Sequence, residues 1–280
     1  MNWFTFALLA GFFFAASRVA SRVLLRKHGN ALAFTAIHDF MAGLFLVPFI
    51  FSGLHWPTQS ITWLYFAGIV IFAFLADWLA FVALKIIDVS LNQIINQIRH
   101  VLILVGGLII FSEAITWAKV IAVVLIIIGV FIALFEKSKI KINKGIILSA
   151  LSTLTAVIAF HFAKATVADF SETATASFEL MLIGVLSFGL LRFNPRKISQ
   201  EIKLHKWGIV ISGILFGAFE ALLFFALKLG EASRVIPVTQ SALIFALLAG
   251  VLFLGERSRL LQKILGTGLI VVGIIIIYIF

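Results

Sequence analysis

Ionisable side chains lie inside the apolar stretches of this chain, where lipid or a packed core would exclude them. They are the bases Arg18, Arg22 and Arg99, the acids Asp39, Asp77, Glu179 and Glu220, and the histidines His38, His100 and His161. A charge at the centre of a bilayer costs between about 2.5 and more than 10 kcal/mol, so each one needs a partner or a water-filled cavity. The near balance of acids and bases predicts internal pairing around one polar cavity.

The stretch from Ser90 to Phe111 carries the densest set of polar side chains. Six of them recur at helical spacings of three and four: Asn92, Gln93, Asn96, Gln97, Arg99 and His100. In a helix they form one broad polar face that must avoid lipid. A single amide could serve only to hydrogen-bond another helix, which is worth about 1 kcal/mol. Six clustered polar residues favour the cavity instead.

Two pairs of these ionisable residues occupy equivalent places 143 positions apart, namely Asp77 with Glu220 and Arg18 with His161. If the two halves of the chain repeat one structure, symmetry places the four residues near one axis and facing a central site. The alternative is a static salt bridge, for instance between Arg18 and Asp77, which would be structural.

A cavity lined by both signs of charge fits a zwitterion such as an amino acid. Arg99 or Arg18 would bind its carboxylate, Asp77 or Glu220 its ammonium, and Trp78 could add a cation–π contact. The predicted substrate-binding residues are Arg18, His38, Asp77, Trp78, Asn92, Asn96, Gln97, Arg99, Glu179, Glu220 and Gln240. The candidates for proton coupling are His38, Asp77, His161 and Glu220.

Composition identifies the elements that must position these residues. The chain has 280 residues, of which 62% are hydrophobic and only 12% charged, so it has too little polar surface for a water-soluble globule. The predicted spans are Trp3 to Leu25, Ala31 to Ser52, Ile61 to Leu84, Ser90 to Phe111, Trp117 to Phe135, Gly145 to Ala165, Glu172 to Leu191, Lys206 to Leu227, Arg234 to Leu254 and Leu260 to Phe280. All ten should be helices, because lipid cannot satisfy an exposed backbone.

The last five spans repeat the first five, which predicts two structural repeats, residues 1–136 and 137–280. Because five is odd, the two repeats enter the membrane in opposite senses. This all-α architecture of two inverted five-helix repeats is typical of secondary transporters. In the ninth span, Pro237 either marks a helix start or opens the backbone near Gln240 to substrate.

Basic residues predict the orientation. The connections after the odd-numbered spans hold fifteen Lys and Arg residues, whereas those after the even-numbered spans hold four. Lys and Arg are retained on the cytoplasmic side during insertion. We therefore expect a multi-pass protein of the cell membrane with both termini outside the cytoplasm.

A repeated motif identifies a family. The run from Ala83 to Ser90, followed by a span and Ser112-Glu113, recurs as the run from Ala226 to Ser233, Pro237 and Gly255-Glu256. This resembles the EamA-type transporters of the drug/metabolite transporter superfamily. The resemblance implies ten helices in two inverted repeats, a central cavity and alternating access for small organic solutes.

Other functions receive less support from the sequence. A multidrug or quaternary-amine exporter could use Asp77, Glu220 and the aromatic residues without Arg99. An intramembrane enzyme would need a nucleophile and base, or metal ligands in register, and no such spacing is seen. The chain lacks cysteine, and its basic residues are not clustered as for nucleic acid. We expect a small-molecule substrate, with no cofactor, bound metal or nucleic-acid partner.

Overall fold

A computed structural model describes residues 2–25, 29–51, 53–87, 116–134, 143–253 and 260–279, together with positions 92, 95, 96, 99 and 102. Within these residues the chain forms α-helices and turns, with no β-strand. The helices are α1 (Trp3–Leu25), α2 (Ala31–Ile50), α3 (Ser60–Ile86), α4 (Trp117–Leu134), α5 (Lys144–Thr166), α6 (Glu172–Leu190), α7 (Pro195–His205), α8 (Trp207–Leu229), α9 (Ala232–Thr239), α10 (Ala242–Phe253) and α11 (Leu260–Ile279).

Six of the described helices are long and apolar enough to cross a bilayer: α1, α2, α3, α5, α6 and α8. They correspond to the first three predicted spans and to the sixth, seventh and eighth. The fifth and tenth predicted spans contain α4 and α11, which include shorter apolar segments. Most of the fourth predicted span lies outside the described residues. The described residues therefore form an all-helical structure that includes membrane-length helices.

The ninth predicted span is not one continuous helix. It contains α9 and α10, separated at Gln240 and Ser241. Pro237 has no N–H to donate within α9, and its ring disfavours regular helix. Directly after it the backbone forms a tight turn, in which the Gln240 N–H donates to the Pro237 carbonyl three residues earlier over 3.1 Å. The proline thus accompanies an interruption within the span rather than only a helix start.

Asparagine side chains begin several helices by accepting hydrogen bonds from backbone N–H groups that have no partner in the first turn. Asn30 accepts from Leu32 and Ala33 at the start of α2. Asn143 does the same for α5, and Asn194 for α7. These caps set the helix starts at one end of the bundle.

Helix packing joins the two halves of the chain. The helix α1 packs against α8, α3 against α5, α2 against α6, and α4 against α11. The helix α8 also approaches α2 closely through two glycines. A Cβ added at Gly213 would lie 2.5 Å from the His38 carbonyl oxygen, and one at Gly217 would lie 2.5 Å from that of Ala42. Only glycine permits this backbone separation.

The connections gather at two opposite ends of the bundle. At one end, which we call the odd end, Lys85 donates to the Gly29 carbonyl and the Asn30 N–H donates to Glu201. At the other, the even end, Asp169 bridges to the connection that follows α2. Alternate crossing of a membrane requires this separation of odd and even connections.

Asp169 organises the even end. Its carboxylate accepts hydrogen bonds from the hydroxyls of Thr58 and Thr62 and from the backbone N–H of Gln59, at 2.7, 2.8 and 3.0 Å. These donors, with Thr58 first, hold the pKa of the Asp169 carboxyl well below its usual range. The ionised form therefore ties the start of α3 to the turn between α5 and α6.

Candidate functional site

A cavity lies between the helices at the middle of the bundle. Helices α1, α3, α5, α6 and α8 line it, together with described residues of the 92–102 stretch. Its volume is about 60 Å³, which is room for about two water molecules at the density of liquid water. The polar residues in its wall are Arg18, Asp77, Asn92, Asn96, Arg99, Ser152, Glu179 and Glu220. The cavity therefore collects both signs of charge in an otherwise apolar bundle.

Arg18 and Asp77 pair across the cavity wall. The Arg18 Nη2 group donates to Asp77 Oδ1 over 2.7 Å, and both side chains are about nine-tenths buried. The guanidinium also lies 5.0 Å from the ring centre of Phe14, 5.2 Å from that of Phe81 and 5.3 Å from that of Phe216. A buried cation gains from both contacts. The ion pair considered from sequence is thus present, and it borders the cavity.

The described part of the polar 92–102 stretch is tied to α5 by a chain of hydrogen bonds. The Asn92 side chain donates to the Ser149 hydroxyl over 3.0 Å, and the Asn96 side chain donates to Oδ1 of Asn92 over 3.0 Å. The Thr153 hydroxyl donates to Asn96 over 2.6 Å. The sequence offered two roles for these asparagines, hydrogen bonding to another helix and lining a cavity. In the structure they do both.

Arg99 extends this polar wall. Its Nε group donates to the Asn96 carbonyl over 3.0 Å, and its guanidinium lies 5.7 Å from the ring centre of Phe160. Arg99 is 6% exposed, and no ion pair joins it to an acid within the described chain. The Nε bond fixes the direction of the side chain, and the guanidinium forms no direct ion pair among the described residues.

Two acids complete the cavity wall from other helices. Glu179 comes from α6 and Glu220 from α8. Glu179 is 3% exposed, and its Oε2 atom has no hydrogen-bond partner among the residues that the structure describes. Outside the Arg18–Asp77 ion pair, the titratable groups of the wall are Arg99, Glu179 and Glu220. The wall thus combines a guanidinium, which pairs with anions, and two carboxyl groups, which accept hydrogen bonds from cations.

His38 does not line the cavity. Its Nδ1 atom lies 2.6 Å from Asp39 Oδ1, and its ring packs against Phe81 and Phe216 at centroid distances of 5.2 and 5.1 Å. The same two phenylalanine rings contact Arg18. They therefore separate His38 from the cavity.

The remaining predicted site residues lie apart from the cavity or outside the described residues. Trp78 stacks on Phe74 at 6.0 Å, and packs against the apolar cluster around α1 and α2. His161 bonds the Val157 carbonyl one turn earlier in α5. Gln240 is buried at the junction of α9 and α10. Gln97 falls outside the described residues.

Sequence reasoning missed the polar residues of α5 that hold the 92–102 stretch. Ser149, Ser152 and Thr153 recur at spacings of three and one, and all three are buried. Ser152 donates to the Ala76 carbonyl of α3 over 2.8 Å. A polar stripe in an apolar span was the available signal. Among the described residues, no group of three or more His, Cys, Asp or Glu is arranged to hold a metal ion.

Comparison with known families gives one match that covers both halves of the chain. The model of the EamA-like transporter family matches residues 1–135 and 143–279. The two matched segments are separated by residues 136–142. The family resemblance seen in the sequence is confirmed.

Individual relatives also carry transporter names. The chain is 33% identical over 134 residues to a Sinorhizobium sp. protein named as an uncharacterized transporter in the cobO 3′ region, covering 47% of this chain and 92% of that protein. It is 27% identical over 193 residues to an uncharacterized transporter of Archaeoglobus fulgidus, covering 68% of each. One crystal structure aligns with a TM-score of 0.71 at 16% identity, covering 97% of this chain and 98% of the other, and so shares the fold.

Proposed function

The chain belongs to the EamA-like transporter family, and from this premise we propose that it is a secondary active transporter of small zwitterionic metabolites such as amino acids. Transport would proceed by alternating access to the central cavity. The observation that carries the proposal is the charge of the cavity wall. Arg99 there has no acidic partner among the described residues, and it shares the wall with Glu179 and Glu220.

The proposed architecture is two inverted five-helix repeats, residues 1–136 and 137–280, forming one transmembrane domain of ten helices. The pairing of helices supports it. If the halves exchange roles, α1 maps onto α5 and α3 onto α8, so the contact of α1 with α8 maps onto that of α3 with α5. The contacts of α2 with α6 and of α4 with α11 map onto themselves. A two-fold axis in the membrane plane relates inverted repeats in this way.

In this proposal, Arg99 binds the substrate carboxylate and the acids bind its ammonium group. A guanidinium forms short, charge-assisted hydrogen bonds to a carboxylate, and the carboxylates of Glu179 and Glu220 accept from an ammonium. The cavity of about 60 Å³ is too small for an amino acid and its water. Binding therefore requires the helices to separate at one end, which is the motion that alternating access supplies.

Proton coupling in the proposal involves the acids that border the cavity. Asp77 and Glu220 lie in the wall, whereas His38 and His161 do not. Protonation of Asp77 would remove the charge that holds Arg18 at 2.7 Å. The freed Arg18 could then meet a substrate carboxylate, so proton and substrate binding would be linked through one side chain.

The amine-exporter alternative receives less support from the site. Aromatic rings are the usual surface for a quaternary amine. Here Phe14, Phe81 and Phe216 already surround the Arg18 guanidinium. A lipophilic cation would have to displace that arginine from its cage.

The protein is proposed to lie in the cell membrane with its odd end in the cytoplasm and both termini outside. Most basic residues belong to connections of the odd end, including Arg192, Arg196 and Lys203 of the segment from α6 to α8. Their retention on the cytoplasmic side sets the orientation.

Ligand-dependent thermal stability tests the proposed substrate class. Purified protein would be screened against amino acids, simple carboxylates, simple amines and lipophilic quaternary amines. A ligand at 100 times its dissociation constant stabilises the folded state by about 2.7 kcal/mol. We expect stabilisation by molecules that carry both an ammonium and a carboxylate.

Arg99→Gln should abolish this stabilisation, whereas Arg192→Gln should leave it unchanged. Arg192 is a matched control because it loses the same charge at an exposed position outside the cavity. Stabilisation by lipophilic cations alone would overturn the proposed substrate class. An undiminished response of Arg99→Gln would remove Arg99 from the site.

A further inference from the structure

The last turns of α3 and α8 each bind a cation from another helix. Arg22 of α1 donates to the Leu84 carbonyl in the last turn of α3. Lys164 of α5 donates to the Leu227 carbonyl in the last turn of α8 and to the Gly230 carbonyl that follows it, both over 2.5 Å. Carbonyl groups at a helix C-terminus lack an intrahelical donor and carry partial negative charge, so they attract cations. Each cation therefore ties the end of one helix to another helix.

A second contact of the same helix end accompanies each of these. Lys85 of α3 donates to the Gly29 carbonyl, two residues before α2 begins at Ala31. Lys228 of α8 forms an ion pair with Glu172, the first residue of α6, with Nζ and Oε1 2.6 Å apart. The end of α3 is thus joined to α1 and to the start of α2. The end of α8 is joined to α5 and to the start of α6.

These two sets of contacts occupy equivalent positions in the two halves of the chain. Three of the four corresponding pairs are 143 positions apart and the fourth is 142 apart: Leu84 with Leu227, Lys85 with Lys228, Gly29 with Glu172, and Arg22 with Lys164. The first set lies at the odd end of the bundle and the second at the even end. Inverted repeats produce equivalent contacts at opposite ends in this way.

Each set lies between the central cavity and one end of the bundle. Arg18 and Glu220 are in the cavity wall. Arg22 lies one turn beyond Arg18 in α1, towards the odd end, and Leu227 lies two turns beyond Glu220 in α8, towards the even end. The helices that these contacts join include α1, α3, α5, α6 and α8, which line the cavity. Opening the cavity to one end by separating these helices would break the contacts at that end.

We propose that the two sets of contacts are the two gates of the transport cycle. The odd gate and the even gate consist of these pairs: Arg22 with Leu84 and Lys85 with Gly29 in the odd gate, and Lys164 with Leu227 and Lys228 with Glu172 in the even gate. Both gates are closed in the described structure, in keeping with its small central cavity. The proposal rests on the alternating access of the proposed function, but not on the identity of the substrate or the coupling ion.

The even gate is the stronger of the two. Its Lys228 binds a carboxylate, whereas Lys85 in the odd gate binds a neutral backbone carbonyl. A hydrogen bond between two charged groups is stronger than one to a neutral acceptor. Glu172 is also buried, which reduces the screening of its ion pair by water and salt. Without ligand, the protein therefore opens at the odd end more often than at the even end.

Distances between spin labels at each end test the gates. The chain has no cysteine, so pairs of thiols can be introduced for labelling. Labels at Val23 and Ile86 report the separation of α1 from α3 at the odd end. Labels at Ala168, in the turn after α5, and at Leu229 report the even end, and all four positions are exposed. Pulsed electron paramagnetic resonance of the purified protein in detergent measures both distances. We expect a larger open fraction at the odd end than at the even end.

Loss of a gate cation should open one end only. Arg22→Gln should raise the ratio of open to closed protein at the odd end about tenfold, because a hydrogen bond to a charged group is lost. Lys85→Gln, at an exposed position, should act in the same direction. Lys228→Gln should raise the ratio at the even end about two- to fivefold, the effect of losing a partly exposed ion pair. Lys144→Gln is the control, since Lys144 is exposed at the odd end outside both gates, and it should change neither distance.

Exchange of the charges in the even gate separates a gate contact from general damage to the fold. Lys228→Glu and Glu172→Lys, each alone, place like charges together and should open the even end. The double variant restores an ion pair with its charges exchanged. It should return the even-end distance to that of the unsubstituted protein. A double variant as open as the single variants would overturn the role of this pair.

Two further outcomes would overturn the proposal. One is a change at both ends, or at neither end, in Arg22→Gln and Lys228→Gln. The other is an unsubstituted protein that opens at the even end more often than at the odd end. Failure of the proposed substrate class is a separate result, because it would appear in ligand-dependent melting and leave these distances unchanged.

Discussion

Arg18 of α1 and Asp77 of α3 form a buried ion pair whose atoms lie 2.7 Å apart in the wall of the central cavity. The pair has two consequences. It removes one positive and one negative charge from those available to a ligand, so the cavity presents Arg99 to anions. It also joins two helices of the first half at the point where three aromatic rings surround the guanidinium.

Replacing one partner of this ion pair should lower the free energy of unfolding more than replacing both partners. Asp77→Ala leaves a buried, unpaired guanidinium, and loss of one partner of a buried pair costs about 3 to 5 kcal/mol. Arg18→Met should have a similar cost. The double variant should be more stable than the sum of the single effects predicts. Thermal unfolding of the four proteins in detergent measures this coupling, and strict additivity would contradict it.

Glu179→Gln should weaken the binding of zwitterions about tenfold while leaving the binding of simple carboxylates unchanged. The reason is that a hydrogen bond to a charged group contributes about 1.5 to 3 kcal/mol, and only the zwitterion brings an ammonium. Ligand-dependent melting shifts provide the measurement. Glu231→Gln is the control, because Glu231 lies at the even end in an ion pair with Lys119. Equal losses for both ligand types would exclude contact between Glu179 and the ammonium.

Gly213→Ala should lower the free energy of unfolding by about 1 to 3 kcal/mol, the usual cost of overpacking a core. The added methyl group would lie 2.5 Å from the backbone oxygen of His38, and a helix backbone cannot move aside locally. Gly268→Ala is a matched control, because its added Cβ meets nothing within 4 Å. Expression yield and thermal unfolding provide the readout. Equal stability of the two variants would show that α2 and α8 are further apart than described.

The hydrogen bonds to Asp169 predict a loss of stability in acid. Because the native pKa of this carboxyl is lowered, its contribution is complete above the ordinary carboxyl pKa of about 4 and falls as the pH drops towards the native value. The melting temperature of the wild type should exceed that of Asp169→Ala at pH 6. The difference should shrink as the pH falls below about 4. A difference independent of pH would mean that the charge of Asp169 is not involved.

The absence of cysteine makes the orientation directly testable. Gln200→Cys places a single thiol at the odd end and Leu54→Cys places one at the even end, both at exposed positions. A membrane-impermeant thiol reagent added to intact cells should label Leu54→Cys at once. It should label Gln200→Cys only after permeabilisation. The reverse pattern would place the odd end outside.

Much of the candidate site could be predicted because charge inside an apolar helix is costly. Seven predicted residues lie in one cavity wall: Arg18, Asp77, Asn92, Asn96, Arg99, Glu179 and Glu220. Each lies in a predicted span, and helical spacing or the shift of 143 positions relates several of them. The same reasoning placed His38 and Trp78 in the site. In the structure, however, the His38 ring contacts Asp39 and the Trp78 ring stacks on Phe74.

Two elements of the fold were not predictable from hydropathy. Helix α7 has 11 residues and is too short and polar to appear as a span. Its position depends on the hydrogen bond from the Asn30 N–H to Glu201 and on the contact of the His205 ring with Phe34 of α2, whose ring centres lie 5.6 Å apart. The sequence did not decide whether the helix is interrupted at Gln240, because Pro237 is compatible with a helix start as well as with a break.

The sequence by itself determined that this protein is helical, membrane-embedded and of the EamA-like transporter family. Each of those properties follows from composition or from a motif along one segment of chain. Only the tertiary structure decided which charges pair, because pairing depends on distances between helices far apart in sequence. Arg18 could have met any acid near the axis, and the packing of α1 beside α3 brought Asp77 to within 2.7 Å. That contact leaves Arg99 as the cavity arginine without an acidic partner among the described residues.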